Sequence, residues 1–280
     1  MTDRIDAHVH FWRLARGDYT WIQPQQTALN RDFGAEDILP HLEAAGIDRI
    51  VLVQAAATVA ETEFMLEQAD AHAIVAGVVG WIDMESATAA ATLTRLAGNP
   101  YLKGIRPMIQ DIDQTDWMLG KTLTPAYRAV AELDLVFEAL VKPPHLPYLH
   151  ELLTRHAGMR AVICHGAKPD IAVGAFDDWA ASMARLAAET GADCKLSGLI
   201  TEAGPDWSAD GLRRYVDHLL DCFGPDRLIW GSDWPVLTET AGYDDWWRAV
   251  NACLADLSAD ETTKIFGGNA ARVYKLQQNR

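Results

Sequence analysis

The chain is short of positive charge. Lysine and arginine together number 24 against 39 aspartates and glutamates, for a formal net charge of −15 at pH 7. Such a surface repels phosphate backbones and anionic lipid, which argues against a nucleic-acid or membrane role. Long apolar runs are also missing, since none approaches the roughly 18–20 residues that cross a bilayer. Met1-Thr2-Asp3-Arg4 lead straight into a strand-like run, without the basic and apolar regions of a secretory leader. The four cysteines, Cys164, Cys194, Cys222 and Cys253, include no C-x-x-C pair and read as reduced packing residues of a cytoplasmic protein. No G-x-G-x-x-G follows the first strand-like segment, and no G-x-S-x-G elbow presents a serine nucleophile.

What is present is a regular alternation. Apolar, β-branched-rich runs at 4–10, 49–56, 75–82, 102–109, 134–141, 160–165, 193–199 and 227–233 read as eight strands. Most are continuous rather than alternating, as expected when both faces of a parallel sheet are covered. Between and after them, 36–46, 62–73, 87–98, 125–133, 146–157, 177–191, 212–224 and 243–257 carry apolar residues at three- and four-residue spacing, the mark of amphipathic helices. Gly46, Gly98, Gly191 and Gly224 supply helix ends, and Ser258 with Glu261 forms a capping box opening a terminal helix. The pattern predicts a single-domain (β/α)8 TIM barrel over residues 1–280, with a doubly wound open sheet as the alternative.

In such a barrel the chemistry lies at the C-terminal ends of the strands. In an extended strand Asp6, His8 and His10 share one face, and two imidazoles at that spacing can converge on one ion. A hydrogen-bonded histidine pair is the ordinary alternative. Glu138, between Phe137 and Ala139 in an apolar run, needs a partner, because an unpaired buried carboxylate is costly. A cation shared with His8 and His10 would serve, and so would an ion pair with Arg106. Asp233 ends strand eight, beside strand one once a barrel closes, as a metal ligand, a general base or a helix N-cap. His165 ends strand six and suits a ligand or a donor to a carbonyl oxygen. Lys168 and Glu202 lie just beyond strands six and seven, and Gln54 ends strand two. Lys195 and Ser197 lie on strand seven. Trp12, Tyr19, Trp21, Trp81, Trp117, Trp207 and Trp234 fall in or beside the strand-to-helix loops, where aromatic faces suit a sugar ring; Trp12 and Trp81 are the candidates for substrate binding, with Gln54, Lys168 and Glu202. His150-Glu151 followed by His156 misses the H-E-x-x-H spacing.

HVHFW, the Y-x-W of DYTW, KGIRPMIQD, HGAKP, CKLSGLITEA and FGPDRLIWGSDWPV together resemble the amidohydrolase superfamily. Within it they resemble the amidohydrolase family 2 branch, and there the sugar-lactone hydrolases of the L-fuconolactonase and L-rhamnonolactonase type. The resemblance spans nearly the whole chain. It implies a (β/α)8 barrel that opens a small-molecule sugar lactone, with one divalent metal ion or none; the imidazole-rich set of candidate ligands favours zinc. It places His8, His10 and Asp233 at metal-site positions, with Glu138 where relatives often carry a histidine, and His165 at the strand-six histidine. Asp233, His165 and Arg106 are then the expected catalytic residues, and monomer and homo-oligomer stay equally open. A decarboxylase or hydratase of the same branch, acting on an aromatic or muconate-type acid, is the first rival reading, and a non-enzymatic barrel that binds a sugar acid is the second.

Overall fold

The computed structural model describes residues 2–277. Eight parallel strands pair in sequence order: β1 Ile5–Val9, β2 Arg49–Val53, β3 Val75–Gly80, β4 Leu102–Ile105, β5 Val136–Ala139, β6 Ala161–Ile163, β7 Asp193–Leu196 and β8 Leu228–Trp230. The sheet closes where His10 N–H donates to the Trp234 carbonyl at 2.8 Å and Asp233 N–H to the His8 carbonyl at 2.9 Å. The (β/α)8 expectation holds. Helices α1 Ala35–Ala45, α2 Val59–Ala71, α3 Ala89–Leu96, α4 Thr124–Glu132, α5 Leu146–Arg155 and α6 Asp177–Glu189 follow strands one to six. After β7 come a short α7 Leu199–Ala203 and the long α8 Ala209–Arg227, and after β8 come α9 Tyr243–Cys253, α10 Ala259–Thr263 and α11 Asn269–Val273.

Two-sided burial explains the continuous apolar runs. Along β2, Ile50 and Leu52 join the core between strands and helices, while Val51 and Val53 point into the barrel. The inner core, with Ile5, Ala7, Val136, Val162 and Ile229, is sealed by Val273, Tyr274 and Leu276 at and beyond the end of α11. Ser258 caps α10 as its sequence predicts, its hydroxyl accepting from Glu261 N–H. Two local expectations change. Helix α2 starts at Val59, three residues before the apolar pattern, because the Thr58 hydroxyl accepts from Glu61 N–H at 3.0 Å. Asp6 does not share a partner set with His8 and His10. A register shift between Asp6 and Val9 breaks the strict alternation, and the Asp6 carboxylate turns to Ser232 N–H at 2.8 Å and the Tyr243 hydroxyl of α9 at 2.9 Å.

The closure leaves no room at Gly231. A Cβ there would lie 2.7 Å from His8 Cβ and 3.0 Å from His8 N. Gly231→Ala should therefore cost about 1–3 kcal/mol, the usual scale of overpacking. Urea unfolding of the two proteins measures it, and equal midpoints would show that β1 and β8 can separate freely.

Candidate active site

A cavity of about 280 Å³ opens at the C-terminal ends of the strands, and His10, Trp21, Arg106, His165, Lys168 and Asp233 are among the residues lining it. A shared geometric device sets two of them. His165 (φ 53°) and Asp233 (φ 63°) both adopt left-handed backbone. His165 begins a run of four such residues that continues through Gly166, Ala167 and Lys168, with φ of 54°, 60° and 51°. The turn is braced by Trp179 Nε1, which donates to the Gly166 carbonyl at 2.7 Å. Gly198 (φ 67°) passes so close that a Cβ would stand 2.6 Å from His165 Nδ1. Only glycine meets both demands at that position.

Asp233 is the centre of an imidazole cluster. Its Oδ1 lies 3.1 Å from His10 Nε2, 3.5 Å from His8 Nε2 and 3.9 Å from His165 Nε2. The carboxylate is directed at these rings, so the alternative of a helix cap falls away. Burial acts to raise the Asp233 carboxyl, but His165 and His10 outweigh it and hold the group below the ordinary carboxylate range. Burial pushes His8 and His165 well toward the neutral form, and the neighbouring cations add to it at His8.

The three rings differ in what faces them. His10 meets acceptors on both sides, the Val53 carbonyl 2.7 Å from Nδ1 and Asp233 at Nε2. Burial draws it toward neutrality and the two acceptors draw it back. His165 Nδ1 pairs with the Ser197 hydroxyl at 2.9 Å. His8 instead meets two donors, Lys195 Nζ 3.2 Å from Nδ1 and Arg106 Nη1 3.2 Å from Nε2.

Glu138 has a partner other than either expected from sequence. Its Oε1 accepts from Lys195 at 2.8 Å and from the Tyr274 hydroxyl at 2.5 Å; its Oε2 accepts from Lys195 at 2.9 Å and from Cys164 Sγ at 3.0 Å. These four contacts occupy the four lone-pair sites of a carboxylate. Burial raises Glu138, and Lys195 with these donors more than reverses it, so the group stays ionised. The argument that Glu138 needs a metal, or Arg106, as its partner therefore no longer stands. Cys164 is a free thiol in this network, and the other three cysteines are free too.

Other expected residues sort differently. Gln54 is fully buried and supports Arg106 rather than facing the cavity: its Nε2 donates to the Arg106 carbonyl at 3.0 Å, and its Oε1 and carbonyl both accept from Arg106 Nη2. Trp12 is core, packed against Tyr19, Trp21 and Phe33, with its indole N–H on the Arg31 carbonyl at 2.7 Å. Trp81 is fixed through its backbone by Thr62 and lines neither this cavity nor the larger one beside it. Trp21, its indole N–H on the Ala55 carbonyl at 2.7 Å, is the aromatic wall. Lys168 pairs with Glu202 at 3.0 Å; Lys168 lines both cavities and Glu202 the larger, of about 760 Å³. Met108 and Leu140, at the far ends of the apolar runs 102–109 and 134–141, also line the site, with Gln110 just beyond the first of them.

The amidohydrolase family pattern matches residues 5–276. The chain belongs to the amidohydrolase family. It is 43% identical to an L-fucono-1,5-lactonase of Burkholderia ambifaria, over 99% of this chain and 97% of that protein. It is 37% identical to an L-fucono-1,5-lactonase of Burkholderia multivorans, over 98% and 97% respectively. A solved amidohydrolase from Burkholderia multivorans with bound zinc superposes with a TM-score of 0.91 at 36% identity, over 98% of this chain and all of that one. In this amidohydrolase, donor atoms of His8, His165 and Asp233 lie within 4.8 Å of one another, close enough to hold a metal ion. Among the described residues no helix is long and apolar enough to cross a membrane.

Asp6 gives a pH signature to the wall behind the cluster. Burial pushes its carboxyl from the ordinary 3.8 up to about 6, against the donors from Ser232, His8 and Tyr243. The folded chain thus keeps a proton that the unfolded chain has released. The stability this group supplies is full below about pH 4 and is lost as pH rises toward 6, by up to about 3 kcal/mol. Asp6→Asn should remove that slope, so that the variant gains on the parent between pH 4 and 6.5 in urea unfolding. A constant difference across that range would refute the assignment.

Proposed function

We propose that this amidohydrolase opens a sugar lactone to its sugar acid, and that Asp233, Arg106 and His165 carry the reaction. The observation that carries the reading is a carboxylate and a guanidinium lining one small cavity. Asp233 is an ionised carboxylate hydrogen-bonded to His10. Arg106 is buried, with Gln54 fixing its Nη2. A guanidinium held at the cavity wall is suited to meet a ligand oxygen.

Asp233 takes a proton from water, and the oxygen so freed bonds to the ring carbonyl carbon. Arg106, with His165, stabilises the oxyanion that develops. As the ring carbon–oxygen bond breaks, Asp233 returns the proton to the departing ring oxygen, which becomes the new hydroxyl of the hydroxy acid. Trp21, in the cavity wall, supplies apolar surface for the ring. The activity named for the two lactonase relatives supports this reading. Among the described residues His8, His165 and Asp233 bring donor atoms close enough together to hold a divalent ion; zinc suits an imidazole-rich set. When bound, such an ion supplies Lewis acidity to a carbonyl or a water. Glu138 is not assigned to it.

Two measurements test the reading. Asp233→Asn should lower kcat at least about a hundredfold, the scale of a lost general base, with the circular dichroism spectrum unchanged; near-normal turnover would reduce Asp233 to a structural residue. In a panel followed by acid release, neutral aldonolactones should be turned over faster than carboxylated or muconolactones, because Arg106 and Lys168 are already offset by Asp233 and Glu202. A dicarboxylate lactone that outran every neutral one tenfold would favour a decarboxylase-like or hydratase-like site instead.

A further inference from the structure

The wall behind the site holds an ion pair that the proposed reaction does not use. Lys195 and Glu138 face each other inside the barrel with no solvent access to either side chain. Burying such a pair costs more than its attraction usually returns, so a barrel filled with apolar side chains would be at least as stable. The pair is anchored from below by the Tyr274 hydroxyl, beyond α11, and reaches the site from above through His8 Nδ1.

The donor count constrains what His8 can be. An ammonium has three N–H bonds and no lone pair. Two of them meet Glu138 Oε1 and Oε2, and the third has His8 Nδ1 at 3.2 Å. A proton on Nδ1 would set donor against donor where neither group reaches solvent. A proton on Nε2 has a carboxylate oxygen near it, Asp233 Oδ1 at 3.5 Å, beside Arg106 Nη1 at 3.2 Å. The same choice deprives Arg106 Nη1 of its acceptor on His8 and leaves it for a ligand in the cavity that Arg106 lines.

We infer that Lys195 is a positioning residue, held by Glu138 and Tyr274, which fixes His8 with its N–H on Nε2 and so turns both that N–H and Arg106 toward the reacting carbonyl. His8 acts as a donor at the site, and its Nε2 is closed to a metal ion for as long as Lys195 occupies Nδ1. The catalytic part of the inference rests on the lactonase reading above; the state of His8 does not.

The test separates the two. In chelator-treated protein labelled with ¹⁵N-histidine, His8 is assigned by its loss in His8→Gln, and the couplings of the ring protons report which nitrogen carries hydrogen. The expected result for the unaltered chain is a protonated Nε2 and a bare Nδ1. Lys195→Met combined with Glu138→Gln removes both charges together, so neither is orphaned. It should abolish that preference, lower kcat about 10–100-fold, the scale for a lost outer partner of a site histidine, with a smaller change in KM, and tighten zinc binding measured by dye competition. Tyr274→Phe, a smaller perturbation, should shift kcat the same way and carries the kinetic test if the double variant does not fold. A proton on Nδ1 in the unaltered chain overturns the inference, whatever the substrate proves to be. So does an unchanged tautomer in a folded double variant, or kcat unchanged in both variants. If no lactone is turned over at all, the lactonase reading fails while the His8 measurement still decides the role of Lys195.

Discussion

One ammonium without solvent access inside the barrel dictates much of what surrounds it. Lys195 can sit there only because Glu138 meets it at 2.8 Å, and Glu138 in turn needs Tyr274 and Cys164 to complete its lone pairs. Removing one member of such a pair typically costs about 3–5 kcal/mol, so the residues are bound to one another as a set. Strands β5, β6, β7 and the segment after α11 are thereby tied together at their inner faces. The imidazole cluster stands on this foundation. His8 takes its environment from Lys195 on one side and Arg106 on the other, and Asp233 gathers the remaining rings.

The site also concentrates backbone strain. His165, Ala167, Lys168 and Asp233 all hold positive φ without being glycine, at a cost of order 1 kcal/mol or more each. The surrounding packing over-determines them. Trp179 grips the turn at Gly166, Gly198 leaves space only for the His165 ring, and the closing bond from Asp233 N–H to the His8 carbonyl fixes the last strand end. An unstrained extension of β6 or β8 would carry these side chains along the strand direction instead of across the mouth.

The fold was readable because burial on both faces writes itself into the sequence as uninterrupted apolar runs, and all eight strands lie within the segments those runs mark. The strand ends were less readable, since Gln54, Arg106 and His165 continue an apolar run while already belonging to the mouth. Of the site, His8, His10, His165, Arg106 and Asp233 were legible as polar residues at strand ends, and Glu138 as a carboxylate in need of a partner. The partner itself was not legible. Lys195 stood in view on strand seven, but which inward residue of β5 meets which of β7 depends on barrel stagger, which no one-dimensional pattern records. The aromatic wall failed for a similar reason: Trp12 and Trp21 sit in the same loop, and only packing decides that the first is core and the second faces the cavity. Asp6 was misplaced because a bulge leaves no signature in a run of apolar and polar letters.

The seal formed by Val273, Tyr274 and Leu276 orders events during synthesis. His8 is made long before Tyr274, yet the inner core beneath it stays open until the chain has grown past residue 276. The contacts that close it are of extreme sequence separation, the kind that form late. A nascent chain truncated before Tyr274 would carry the residues of its site but lack the hydroxyl that completes the partners of Glu138. In this barrel the support of the site is complete only once the segment after α11 has been made.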